Sequence, residues 1–189
     1  MLSDRFTSAI KLAAELHSTQ LRKGTKIPYI SHLLGVTSLV LEHGGTEDEA
    51  IAAMLHDAVE DQGGEETLAL IRSQFGANVA AIVEGCTDSY KIPKPPWRSR
   101  KENYLKHLAQ TSASVRLVSN ADKLHNARAI LNDLRICGDA LWQRFSGGKD
   151  GTLWYYRSLA NAFKDLNHNA LSEELERVVT EIERIAEVK

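Results

Sequence analysis

The sequence is poor in the features that staple or anchor small folds. Its two cysteines, Cys86 and Cys137, stand far apart and match no zinc spacing, which favours buried thiols in a reducing compartment over a bridge. No apolar run approaches the ~20 residues that a membrane helix needs. The N-terminal stretch MLSDRFTSAIKLAAEL has an acid at Asp4 and lacks the cleavage pattern of a secretory signal. A cytoplasmic protein without a membrane partner is therefore expected. Excess positive charge is absent too: 23 basic residues against 25 acidic ones give a net charge of −2. That argues against a general nucleic-acid binder while allowing a local basic pocket. There is little strand-type alternation, no internal repeat and no low-complexity segment. What remains is ordinary: 43% hydrophobic and 25% charged residues in 189 positions, enough for one well-packed globular domain.

Helical periodicity fills the chain. Phe6, Ile10, Ala13, Ala14 and His17 share one spacing. Ile30, Leu33, Leu34, Val36, Thr37, Val40 and Leu41 form a second stripe that stops at Gly44-Gly45. Thr46 with Glu49 reads as a capping box opening a third helix through Ile51, Met54 and Leu55. Leu68, Ile71 and Phe75 make a fourth, closed by Gly76. Val79, Ile82 and Val83 suggest a fifth. The stretch Ile92-Pro93-Lys94-Pro95-Pro96 reads as a loop, because proline removes a donor and fixes φ. Helices resume over 97–108, 115–134 and 153–166. A last one, over 171–188, carries Leu171, Leu175, Val178, Ile182 and Ile185, and is expected to pack on its own domain rather than on a partner. The expected architecture is a single all-α domain of roughly eight to ten helices.

The chemistry centres on His56-Asp57-Ala58-Val59-Glu60-Asp61. On a continuous helix His56 stacks with Glu60 and Asp57 with Asp61, one turn apart. The first pair suits a metal, and the second suits a water that must be oriented or deprotonated. A plain solvated face fits poorly, since Ala52–Leu55 and Ala58-Val59 make this helix apolar and buried ionisable groups need partners or a metal. His32 opens an apolar helix after Pro28-Tyr29-Ile30-Ser31, and Asp122 sits inside another. Taken singly, each is as well read as a satisfied core residue.

Taken together, the pattern H…HD…D, with Glu60-Asp61 after the HD pair, resembles the signature of the HD metal-dependent phosphohydrolases. Within them the chain is similar to the hydrolase domain of the RelA/SpoT homologues, and above all to the stand-alone small alarmone hydrolases. The resemblance covers about 13–163. It is carried by Gln20-Leu21-Arg22-Lys23-Gly24, Pro28-Tyr29-Ile30-Ser31-His32, Leu55–Asp61, Phe75-Gly76, Thr87-Asp88 and Asn120–Asn126. It implies an HD-domain helical fold and hydrolysis of the 3′-pyrophosphate of ppGpp and pppGpp, the stringent-response alarmones, to GDP or GTP.

The resemblance further implies metal ligation by His32, His56, Asp57 and Asp122. This thiolate-free set favours Mn²⁺, with Fe²⁺ and Zn²⁺ as competitors. It makes Glu60 and Asp61 the catalytic acid pair that positions and deprotonates the attacking water, with either able to serve as the base. Arg22, Lys23 and Asn126 match positions near the bound nucleotide. Arg100 and Lys101, in the basic cluster that includes Lys91, Lys94 and Arg98, suit a lid closing on phosphates, and Tyr155 suits an aromatic wall. His125, three residues from Asp122, is not a ligand in the family, and His17, His43, His107 and His168 belong to no pattern. Two positions depart from the family: Leu33 replaces the proline after the first histidine, and Ala129 replaces a threonine near the nucleotide. The chain leaves no room for the synthetase domain of the long enzymes, so alarmone synthesis is not expected. Hydrolysis of adenosine alarmones such as ppApp, removal of the 2′-phosphate of NADPH, and a non-catalytic alarmone-binding module are the competing readings. The last is disfavoured because both the ligand set and the acid pair are intact.

Overall fold

The computed structural model describes residues 1–88 and 95–187. The expected loop at 92–96 therefore lies largely outside the described residues, as do Lys91 and Lys94. Among the described residues there are ten α-helices, one 3-10 segment and no strand; a lone antiparallel bridge joins Leu21 to Pro28. The all-α expectation holds. The chain divides into two compact units, one of Met1–Lys94 with Thr111–Ala121, the other of Pro95–Gln110 with Asp122–Lys189.

The first unit contains α1 (Asp4–Leu16), α2 (Ile30–Glu42), α3 (Glu47–Leu55), α4 (Ala58–Asp61), α5 (Gly64–Phe75) and α6 (Ala77–Cys86). Its centre is α3, where Ala50, Ile51, Ala52, Ala53, Met54 and Leu55 are all fully buried. A helix apolar on every side must be surrounded, and α1, α2 and α6 pack against it. Three alanines let those neighbours approach closely. The capping box forms: the Thr46 hydroxyl accepts from the Glu49 N–H, and the Glu49 carboxylate accepts from the Thr46 N–H. Gly76 ends α5 and begins α6 at φ 93°, a conformation that a side chain disfavours.

The second unit contains α7 (Trp97–Leu108), the C-terminal part of α8 (Ala113–Cys137), a 3-10 segment (Gly138–Arg144), α9 (Gly148–Leu166) and α10 (Ala170–Glu187). Helix α9 is packed by α7, the 3-10 segment and α10. The Trp97 indole lies where a Cβ at Gly147 would come within 2.7 Å of it, so that glycine makes room for the ring. Helix α10 buries Leu171, Leu175, Val179, Ile182 and Ala186. Val178 and Ile185, expected in this stripe, are only half-buried. Polar pairs flank the seam: Arg157 of α9 binds Glu176 and Glu183, and Arg128 and Arg135 of α8 bind Glu174 and Glu181.

Candidate metal and hydrolytic site

His56 and Asp57 do not continue α3. The helix ends at Leu55, His56 caps it, and Asp57 caps the short α4 at φ −94°, ψ −6°. The helix expected to carry His56–Asp61 is thus broken at the HD pair, which has a chemical consequence. On an unbroken helix, neighbouring side chains diverge by ~100°. Here His56 Nε2 and Asp57 Oδ2 approach to 3.1 Å. The backbone recovers at once, with the Asp61 N–H donating to the Asp57 carbonyl at 3.0 Å.

His32 enters from the first turn of α2. It is fully buried, its Nε2 lies 3.5 Å from Asp57 Oδ2, and its ring meets that of His56 edge-on at 5.3 Å. The ligating atoms of His32, His56 and Asp57 lie within 4.8 Å of one another. His56 Nδ1 is 2.8 Å from the Ala53 carbonyl, which can only accept; the ring proton therefore sits on Nδ1 and the Nε2 lone pair faces the cluster. An imidazole lone pair beside a carboxylate oxygen needs a proton or a cation between them, so the donor set fits a divalent metal. Asp57 is in turn held by the Tyr29 hydroxyl, which donates to Oδ2 at 2.6 Å.

Asp61, at the end of α4, accepts from Gln20 Nε2 at 2.8 Å. Its carboxyl is pushed above the ordinary aspartate range, first by the protein atoms that desolvate it and then by the charges of Asp57 and Glu60; the Gln20 N–H opposes this. Glu60 beside it is half-buried. Arg22 lies 5.8 Å over the Tyr29 ring, and its N–H closes a tight loop by donating to the Ile27 carbonyl at 2.8 Å. Lys23 is exposed in that loop next to Gly24, at φ 71°. The structure thus brings together His32, His56 and Asp57, and surrounds them with Tyr29, Gln20 and Asp61.

The remaining expected residues belong to the second unit. The Asp122 carboxylate is held by Lys123 Nζ at 2.6 Å on Oδ2 and by Asn126 Nδ2 at 2.5 Å on Oδ1. Burial works against the Lys123 charge, but Asp122 overcomes it and the ammonium stays protonated well beyond the usual lysine range. Lys123 also lies 5.0 Å over the Tyr104 ring. Arg100 Nε donates to the Pro95 carbonyl at 3.2 Å. Lys101 Nζ sits 5.0 Å over the Tyr155 ring. Tyr155, the expected aromatic wall, is 6% exposed and edge-on to Trp97 and Tyr156.

Four residues near the site, His17, Gln20, Tyr29 and Gln62, carried no assigned role in the sequence reading. His17 was assigned to no pattern, yet it is buried, stacks on Tyr29 at 5.2 Å and 15°, and places Nδ1 2.6 Å from Gln20 Oε1. Gln62 Nε2 donates to the same oxygen at 2.6 Å. Gln20 and Tyr29 stand within the motif blocks, and His17 lies i, i+3 from Gln20; Gln62 reaches them through the fold alone.

The HD-domain family model matches residues 9–152. The chain belongs to the HD-domain family, in the branch of the RelA/SpoT-type hydrolases. Among its relatives are proteins named guanosine-3′,5′-bis(diphosphate) 3′-pyrophosphohydrolase MESH1. That of Xenopus tropicalis is 41% identical over 137 residues, covering 71% of this chain and 72% of the relative. That of Homo sapiens is 36% identical over 137 residues with the same coverage. A solved structure described as a metazoan ortholog of SpoT that hydrolyzes ppGpp matches with a TM-score of 0.78 at 25% identity, over 95% of this chain and 96% of that one. No helix among the described residues is long and apolar enough to cross a membrane.

Proposed function

We propose that the chain is a Mn²⁺-dependent 3′-pyrophosphohydrolase of ppGpp and pppGpp. The observation that carries this reading is the convergence of His32, His56 and Asp57 at the helix break, in a chain whose relatives bear that activity in their names. His32, His56 and Asp57 hold the metal, and the family pattern adds Asp122. When bound, the cation supplies charge to polarise the phosphoryl group and lowers the pKa of water. Glu60 and Asp61 orient the attacking water and take its proton. Arg22 and Lys23 bind the nucleotide, the first offering a guanidinium plane for a base and the second a point charge for phosphate. Asn126 contacts the nucleotide once Asp122 is engaged. Arg100 and Lys101 neutralise phosphate, and the Tyr155 ring holds the Lys101 ammonium in place. No nucleic acid or membrane takes part, and the reaction belongs in the cytoplasm.

The test is product analysis with Mn²⁺ and separately supplied ppGpp, ppApp and NADPH. Pyrophosphate and GDP from ppGpp are expected. A preference for ppApp keeps the chemistry and changes the substrate, phosphate from NADPH alone makes the protein a 2′-phosphatase, and no turnover despite bound metal makes it a binding module. Asp57→Asn loses metal and activity together, whereas the double variant Glu60→Gln, Asp61→Asn keeps metal and loses hydrolysis.

A further inference from the structure

Next to the metal-binding triad, side chains of α1's end, the following loop and the end of α4 form a connected hydrogen-bond circuit. Gln20 is its hub. Its Oε1 lies 2.6 Å from His17 Nδ1 and 2.6 Å from Gln62 Nε2, and its Nε2 donates to Asp61 Oδ2 at 2.8 Å. An ionised carboxylate only accepts, so the Gln20 nitrogen faces Asp61 and the Gln20 oxygen faces the other two groups. That oxygen accepts twice, which requires His17 to carry its proton on Nδ1. His17 cannot swing away: it is 3% exposed and its ring lies flat on Tyr29. The Gln20 backbone is pinned as well, its carbonyl accepting from the Tyr29 N–H at 2.9 Å. A long side chain loses rotamer freedom when it is held this way, and three bonds converge to hold this one.

We propose that Gln20 is a positioning residue for the hydrolysis, aimed by His17 and Gln62. Its amide N–H fixes Asp61 through Oδ2, so that Oδ1 is the oxygen presented to the attacking water. Gln20 touches neither metal nor substrate in this role. The inference rests on the reading of Asp61 as one of the acid pair.

The decisive variant is Gln20→Met, which keeps length and shape without hydrogen bonds. With Mn²⁺ and ppGpp, kcat falls about 10- to 100-fold, the scale of a misplaced reacting group, while KM stays within about twofold and bound metal is unchanged. His17→Phe keeps a ring on Tyr29 but removes the Nδ1–H. It lowers kcat in the wild-type background and adds nothing in the Gln20→Met background, because it acts through Gln20. Independently of turnover, the imidazole ¹⁵N resonances of neutral His17 report the Nδ1–H tautomer in the wild-type protein. A Gln20→Met kcat within about twofold of wild type, a His17→Phe loss that multiplies the Gln20→Met loss, metal content falling in step with kcat, or a wild-type His17 protonated on Nε2 each overturns the inference alone. Wild-type protein inactive on every substrate overturns the functional reading, and this inference with it.

Discussion

Tyr29→Phe removes a single oxygen and isolates the support behind one proposed metal ligand, Asp57. The ring stays, because His17 stacks on one side at 5.2 Å and His32 meets it edge-on at 5.6 Å. What goes is the 2.6 Å bond from the hydroxyl to Asp57 Oδ2, the oxygen that lies 3.1 Å from His56 Nε2 and 3.5 Å from His32 Nε2. Without that donor the carboxylate samples other rotamers, and binding a cation must restore one of them. Partners behind metal ligands are commonly worth about 10–100-fold in affinity. The Asp57 side chain is 22% exposed, so water replaces part of the lost bond and the low end applies. The expected loss is about tenfold, or about 1.4 kcal/mol. Calorimetric titration of metal-free protein with Mn²⁺ near neutral pH reads it directly, with the melting temperature of the metal-free protein as the control for folding. An affinity unchanged within about twofold, or tightened, refutes the reasoning, since the hydroxyl would then lower the basicity of Oδ2 more than it orders it.

Lys123→Met strands the buried Asp122 carboxylate, whose side chain is 9% exposed. Breaking a buried pair costs about 3–5 kcal/mol, and the surviving Asn126 donor keeps the loss near the low end. The melting temperature falls by about 6–12 °C for a chain of this size, and a shift under about 2 °C contradicts the buried-pair account. Thr46→Ala deletes half of the capping box and costs about 1 kcal/mol in urea unfolding; no measurable change would show that α3 is held by its packing alone. In metal-free protein, Asp61→Asn raises the melting temperature at neutral pH. A carboxyl whose folded pKa lies above its unfolded value costs stability while ionised, a cost relieved as pH falls through the folded pKa. The gain therefore shrinks toward acid pH, and a gain that is equal at both pH values, or a loss at neutral pH, would contradict it.

Local patterns carried the helices a long way. The capping box at Thr46 and Glu49, the stop at Gly76 and the helix over 97–108 are where the residues place them, because caps and stops are chemistry between residues a few positions apart. Seam positions are less secure. Val178 and Ile185 are apolar and nearly in register, but the neighbours of α10 select Val179 and Ala186 for burial instead. The burial of Tyr155 is likewise set by the fold, since Trp97, brought against Gly147 and Gly151, meets its ring edge-on.

The candidate site divides along the same line. Which residue types stand at 32, 56, 57, 60, 61 and 122, and in what order, is a property of the chain alone, and that order is sufficient to suggest metal-assisted hydrolysis. How adjacent His56 and Asp57 meet at one point is not, because the outcome depends on a helix that breaks between Leu55 and Ala58 against fully buried surroundings. Nor does anything local connect Gln62 with Gln20, 42 positions away, or Tyr29 with Asp57, 28 positions away. Side chains so far apart are brought within hydrogen-bond reach only when α1, α2 and α6 close around the apolar α3. Burial of that helix is what brings His32, His56 and Asp57 together with the groups that orient them.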